Sequence, residues 1–174
     1  NTYVALPATP VGLRIDAAKQ GDAGWSLPGV EWRDGDALQA SGRLSFTRDG
    51  GLDLLAIDVG SRDMSPLRQR YLSGWMGLFG LGDVDLHGAM DLHVETQGGA
   101  LSRIDALLHG VDLRDPARRF VFDGLAGDLR YSASTPVRSE LRWRGGQLYG
   151  LAFGEARLPM ASADGLLRFQ ESVR

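Results

Sequence analysis

The residues of this sequence that invite chemistry gather between positions 83 and 93, where Asp83, Asp85, His87, Asp91 and His93 follow at short intervals. Imidazoles and carboxylates together form zinc sites and acid–base pairs. Their spacing argues against both. Val84, Leu86, Gly88, Met90, Leu92 and Val94 alternate with Asp85, His87, Ala89, Asp91, His93 and Glu95, the period-two pattern of a strand with one apolar and one polar face. His87 and His93 share a face, but six residues of strand separate them by about 20 Å, too far for one ion. The five side chains read as a solvated polar face, and His109 as an isolated residue at a surface or pocket edge. No metal site is expected.

Other catalytic patterns fail in the same way. No serine lies in Gly-x-Ser-x-Gly with a histidine and an acid to orient it. The glycine pairs never form the Gly-x-x-x-x-Gly-Lys-Ser/Thr loop that cradles phosphates. Carboxylates are spread through alternating segments, without visible convergence into a pair. The expectation is a protein without enzymatic activity or cofactor. Cysteine is absent, which removes disulfides, thiolate catalysis and cysteine-rich zinc sites.

Charge narrows the partners. Nineteen basic and 22 acidic residues leave a net charge of −3, and Lys19 is the sole lysine. Arginines at 118–119 and at 138, 142 and 144 alternate with apolar residues in place of a basic stripe with stacking aromatics, so no nucleic-acid partner is expected. No apolar run approaches the ~20 residues of a spanning helix.

The elements that must hold these residues are strands. Leu38, Ala40, Gly42, Leu44 and Phe46 alternate with Gln39, Ser41, Arg43, Ser45 and Thr47; Asp49-Gly50 then turns the chain into Leu52–Val59. The run through 84–94 would extend ~37 Å, and Gly98-Gly99 turns it into Leu101–Leu113, with a phase slip near Leu107-Leu108 that predicts a bulge. Phe120–Tyr131 breaks phase at Asp123-Gly124. Val137, Ser139, Leu141 and Trp143 alternate with arginines and Glu140; Gly145-Gly146 is expected to turn the chain into Gln147–Met160, and Leu166–Gln170 to form a last strand. Val11–Asp16 and Trp25–Arg33 are weaker strands, the second interrupted by Pro28-Gly29.

One segment departs from this period. Ser65-Pro66 offers an N-cap and a first-turn proline, and Leu67, Tyr71, Trp75 and Leu78 recur at helical spacing beside Leu72, Met76 and Phe79. One short amphipathic helix is expected over about 65–80, capping the sheet. Alternatively, Tyr71, Trp75 and Phe79 would lie at a groove edge or a membrane.

The fold class is therefore all-β: a long antiparallel, curved meander sheet, groove-like or taco-like, with one short inserted helix. Residues 1–174 read as a single β-rich domain, a piece of a longer protein. Small residues in the apolar rows (Ala40, Gly42, Gly88, Gly127) favour a partly open trough over a filled sandwich or barrel. Its candidate lining is Leu44, Phe46, Leu86, Met90, Leu92, Leu141 and Trp143. A structural or protein-interaction module with a filled core is the alternative. An eight-stranded outer-membrane barrel is a third, disfavoured by the missing aromatic girdles.

Tyr71-Leu72 before a glycine-rich helix end, Leu81-Gly82-Asp83-Val84-Asp85-Leu86-His87-Gly88, Gly98-Gly99-Ala100-Leu101 running to Leu113, and Leu141-Arg142-Trp143-Arg144-Gly145-Gly146-Gln147-Leu148-Tyr149-Gly150 carry a texture of strands and glycines. It resembles the AsmA-like envelope proteins of Gram-negative bacteria, in particular the YdbH-like branch, with TamB and YhdP as more distant relatives. The resemblance implies a periplasmic rod anchored in the inner membrane by a segment absent from this chain. It also implies repeating β-groove units that carry phospholipid acyl chains toward the outer membrane and adjoin neighbouring β segments and an envelope protein partner. It brings no catalytic residue.

Overall fold

Alternating apolar and polar residues leave each strand one face to bury, and antiparallel neighbours joined by tight turns satisfy that most directly. The computed structural model describes residues 10–22, 24–72, 83–163 and 166–169. Thirteen strands form one antiparallel sheet: β1 (Gly12–Ile15), β2 (Lys19–Gly21), β3 (Gly24–Asp34), β4 (Leu38–Thr47), β5 (Leu52–Ser61), β6 (Asp85–Gln97), β7 (Ala100–Arg114), β8 (Phe120–Ser132), β9 (Val137–Trp143), β10 (Gly145–Leu148), β11 (Leu151–Phe153), β12 (Ala156–Ala163) and β13 (Leu166–Phe169). The order is β1-β3-β4-β5-β6-β7-β8-β9-β12-β13, a meander that curves without closing. β2 pairs with β3, and the β10–β11 hairpin pairs with β8. The all-β meander expected from the sequence is the observed fold. The barrel is not, because among the described residues β1 and β13 end the path without pairing to each other.

The turns follow the sequence signals. Gly50 at φ 85° and Gly98-Gly99 at φ 57° and 73° supply the left-handed residues of the β4–β5 and β6–β7 connections. Register shifts lie between Leu27 and Val30, at Pro28-Gly29, and between Leu108 and Val111, just past the expected slip. The break at Asp123-Gly124 is a register shift with Gly124 at φ 64°. Gly145-Gly146 is a correction. Both residues are in β10 and pair with Asp123 and Phe122, and the run expected over 147–160 is divided among β10, β11 and β12.

In the inserted segment the described part is a single wide helical turn, Arg68–Leu72; the rest of the helix expected over about 65–80, Trp75 and Phe79 included, lies outside the described residues. Ser65 is not its cap. Its hydroxyl lies 2.6 Å from Asp63 Oδ1 and 2.9 Å from His87 Nδ1, while Asp63 accepts the Ser65 amide at 3.0 Å.

The turn is fastened to one end of the sheet. Met64 N donates to the Gly88 carbonyl at 2.9 Å. Met64 and Leu67 pack with Leu86 and Val111, and Leu38, Tyr71, Leu72, Met90, Leu108, Leu113 and Leu125 close around them. Fully burying a side chain of this kind, as at Met64, Leu67, Leu86 and Val111, contributes roughly 1.5–3 kcal/mol. Asp34, 1% exposed at the end of β3, accepts from Arg70 Nη1 through both oxygens at 2.9 Å and from the Tyr71 hydroxyl at 2.8 Å. Tyr71 in turn accepts from Trp32 Nε1 at 3.0 Å and stands edge-on to its ring, and burial pushes its phenol up from the ordinary value. The segment thus closes the sheet end through a hydrogen-bonded carboxylate, and Tyr71 belongs to that closure.

Candidate functional site

Directly paired residues project to the same side of a sheet, so the register assigns every side chain to a face. One row runs Trp32, Ala40, Val59, Leu92, Ala106, Leu129 from β3 to β8. The row beside it runs Val30, Gly42, Ile57, Val94, Ile104, Tyr131. A third joins Met90, Leu108, Gly127, Leu141 and Leu158. Leu44 pairs with Leu27 and Leu55, Phe46 with Trp25, Leu86 with Leu113, and Trp143 with Ala156. All seven proposed lining residues therefore share one face, although bulges interrupt four of the pairings that connect them. Trp143, Phe122 and Phe153 form an aromatic cluster on it, with centroids 5.5–6.1 Å apart.

This face is one layer deep. Its central members are half-buried, while the alternate residues Ser41, Arg43, Asp58, Asp91 and Leu107 are exposed. Among the described residues the fully buried apolar side chains are Ala37, Met64, Leu67, Val84, Leu86, Val111 and Met160. Most of the apolar face thus has no second protein layer of described residues to bury it fully.

The small residues act differently from expectation. A Cβ on Gly42 would lie 2.4 Å from the Ala56 carbonyl oxygen, and one on Gly127, at φ 115°, 2.1 Å from that of Glu140. These glycines admit a neighbouring backbone and let the strands bend, rather than leaving space for a ligand. Space is left on the other face. At Gly60 the nearest atom to an added Cβ is Asp91 Oδ1 at 3.5 Å. Around it lies a hollow of about 590 Å³, lined from the polar side by Glu31, Arg33, Gln39, Ser41, Asp58, Asp91, His93, Asp105, Leu107, Asp128 and Arg130. Sequence alternation identified this face as polar. It carried no sign that the face is hollowed, since that depends on which cross-strand neighbours flank Gly60.

The histidines lie on the polar face, each tied to its surroundings. His93 Nδ1 is 2.7 Å from Asp58 Oδ1 and its Nε2 3.1 Å from Glu95 Oε1. The bond to Asp58 outweighs partial burial, and Glu95 adds to it, so the imidazolium is held above its ordinary value of 6.5. His109 Nε2 lies 2.9 Å from Asp91 Oδ2. His87 meets Ser65, whose hydroxyl also meets Asp63. In a nucleophilic triad the acid orients the imidazole; here Asp63 contacts the hydroxyl, and among the described residues no carboxylate is hydrogen-bonded to the imidazole. Among the described residues no three His, Asp or Glu side chains are placed to hold one metal ion, Asp83, Asp85, His87, Asp91 and His93 included.

The arrangement can therefore do two things. Its apolar face can cover or be covered by hydrocarbon, and its polar face presents ion-paired groups to water. Among the described residues no helix is long and apolar enough to cross a membrane. No family model, no curated protein and no solved structure matches this chain.

Proposed function

We propose that this chain is an AsmA-like, YdbH-like segment of a periplasmic bridge that carries phospholipid between the two membranes of a Gram-negative envelope. Acyl chains would lie on the apolar face and headgroups at its margin. The observation that carries this reading is the continuous apolar face from β3 to β9, most of it without a second layer of described residues. Six inter-strand spacings of about 4.8 Å give it a width of roughly 29 Å along the curve. One acyl chain spans about half of a ~30 Å hydrocarbon core, so it fits along or across the face. Each methylene removed from water contributes about 0.8 kcal/mol, with no need for a headgroup-specific contact.

Native mass spectrometry of the chain, expressed in bacteria and purified without detergent, tests the reading. Near-stoichiometric co-purified phospholipid is expected. A clean apo mass that takes up no added phospholipid would overturn it in favour of a structural module of the envelope.

A further inference from the structure

Two residues other than glycine adopt a left-handed backbone among the described residues, Arg118 at φ 55° and Tyr149 at φ 47°. Such a conformation strains most side chains and is readily met by glycine or asparagine. Both residues are exposed, and their turns adjoin: Tyr149 N donates to the Arg119 carbonyl at 2.8 Å, and Leu148 pairs with Phe120. Tyr149-Gly150 is the tip of the β10–β11 hairpin, with φ positive at both positions, where asparagine-glycine is the low-strain choice. An aromatic ring and a cation thus occupy two neighbouring positions that local backbone energetics disfavours for them, which points to a role outside the fold.

The surroundings indicate which role. Leu148, Tyr149 and Leu151 are 48%, 77% and 77% exposed, and Leu148 and Leu151 lie opposite each other across the tip. By strand alternation these two leucines continue the side of the sheet that carries Phe122 and Phe153, so the hairpin carries the apolar face out to its tip. Arg118 forms no ion pair among the described residues, whereas Arg119 beside it is bonded to Asp115.

We infer that this tip is a docking point for an anionic lipid surface, with Leu148, Tyr149 and Leu151 entering the interfacial layer and Arg118 meeting the headgroups. Leucine and tyrosine beside arginine is the composition of interfacial anchors. The tip carries three exposed apolar side chains, too few to make up the ~800 Å² per partner of a stable protein interface. The inference concerns attachment to a bilayer surface and stands apart from acyl-chain carriage on the sheet.

Co-sedimentation of the 174-residue chain with vesicles tests it, one set of phosphatidylcholine alone and one of equal parts phosphatidylcholine and phosphatidylglycerol. The wild-type chain is expected to favour the anionic vesicles, with binding that weakens as salt rises. Arg118→Asn should lower that binding about fivefold, the worth of one basic residue at an anionic surface, and leave binding to neutral vesicles unchanged. Tyr149→Asn and Leu151→Ser should each lower binding to both sets at least tenfold. Asparagine suits the left-handed position, so Tyr149→Asn should keep or raise the melting temperature, which separates lost docking from lost folding. No sedimentation of the wild-type chain, or equal sedimentation of all variants, overturns the inference. Phospholipid adducts in native mass spectra should persist in all three variants, so failure here and failure of the transport reading are distinguishable.

Discussion

Leu92 is the residue at which acyl-chain binding is most open to test. It sits in the central strand β6, between Val59 of β5 and Ala106 of β7, in the middle of one of the two widest apolar rows. In Leu92→Glu a carboxylate would stand where a methylene chain is to lie. Placing such a charge at the centre of hydrocarbon costs about 2.5–3.5 kcal/mol, and half of a leucine's burial, about 1 kcal/mol, is lost with it. The face is open to water on one side, so the carboxylate can lean outward and recover part of this. A net loss of about 3 kcal/mol, or roughly 100-fold in affinity, is expected. His93, the next residue, faces the opposite side, so His93→Gln should stay within twofold. The assay is titration of the detergent-free chain with a phospholipid carrying an environment-sensitive fluorophore on one acyl chain. Leu92→Ala serves as an intermediate, losing about fivefold through lost apolar area alone. Circular dichroism checks that each variant keeps its strands. Equal affinity of Leu92→Glu and His93→Gln would refute the assignment of acyl chains to this face.

Three further outcomes follow from the packing and the charges. Gly127→Ala should destabilise the chain by about 2 kcal/mol or more, because its Cβ would meet the Glu140 carbonyl at 2.1 Å and its φ is 115°; at about 2–4 °C per kcal/mol the melting temperature falls accordingly. Gly60→Ala, with ordinary φ and nothing nearer than 3.5 Å, should leave it unchanged or slightly higher. Asp34→Ala should cost about 3 kcal/mol in denaturant unfolding, since it strands Arg70 and the Tyr71 hydroxyl at the sheet end, and Tyr71→Phe in that background should cost less than in the wild-type chain. His93 has a folded-state pKa raised above 6.5, so its contribution to stability is complete below that value and is lost as pH rises through the raised one. The melting temperature of the wild-type chain should accordingly fall as pH rises above 6.5, by more than that of His93→Gln.

The strands, their faces and most of their turns could be read from residue order, because a half-buried strand writes its burial into the sequence with period two. Leu44, Phe46, Leu86, Met90, Leu92, Leu141 and Trp143 fell on one side for that reason, as did the histidines and Asp58, Asp91 and Asp105 on the other. Gly50 and Gly98-Gly99 marked hairpins because a left-handed turn is a local requirement. What depended on partners across the sheet was not legible. Gly145-Gly146 resembles a turn until Asp123 and Phe122 are found opposite, and the glycines of the apolar rows resemble gaps until the neighbouring carbonyls fill them. Whether Ser65 would cap a helix was decided by Asp63 and His87, the latter 22 residues away, and Tyr71 acquired its place from Asp34. The hollow around Gly60 likewise exists only where β3 to β8 lie side by side. Periodicity belongs to one strand and is carried by its own residues; register, bending and the space between side chains belong to pairs of strands, and the chain settles them only when it folds.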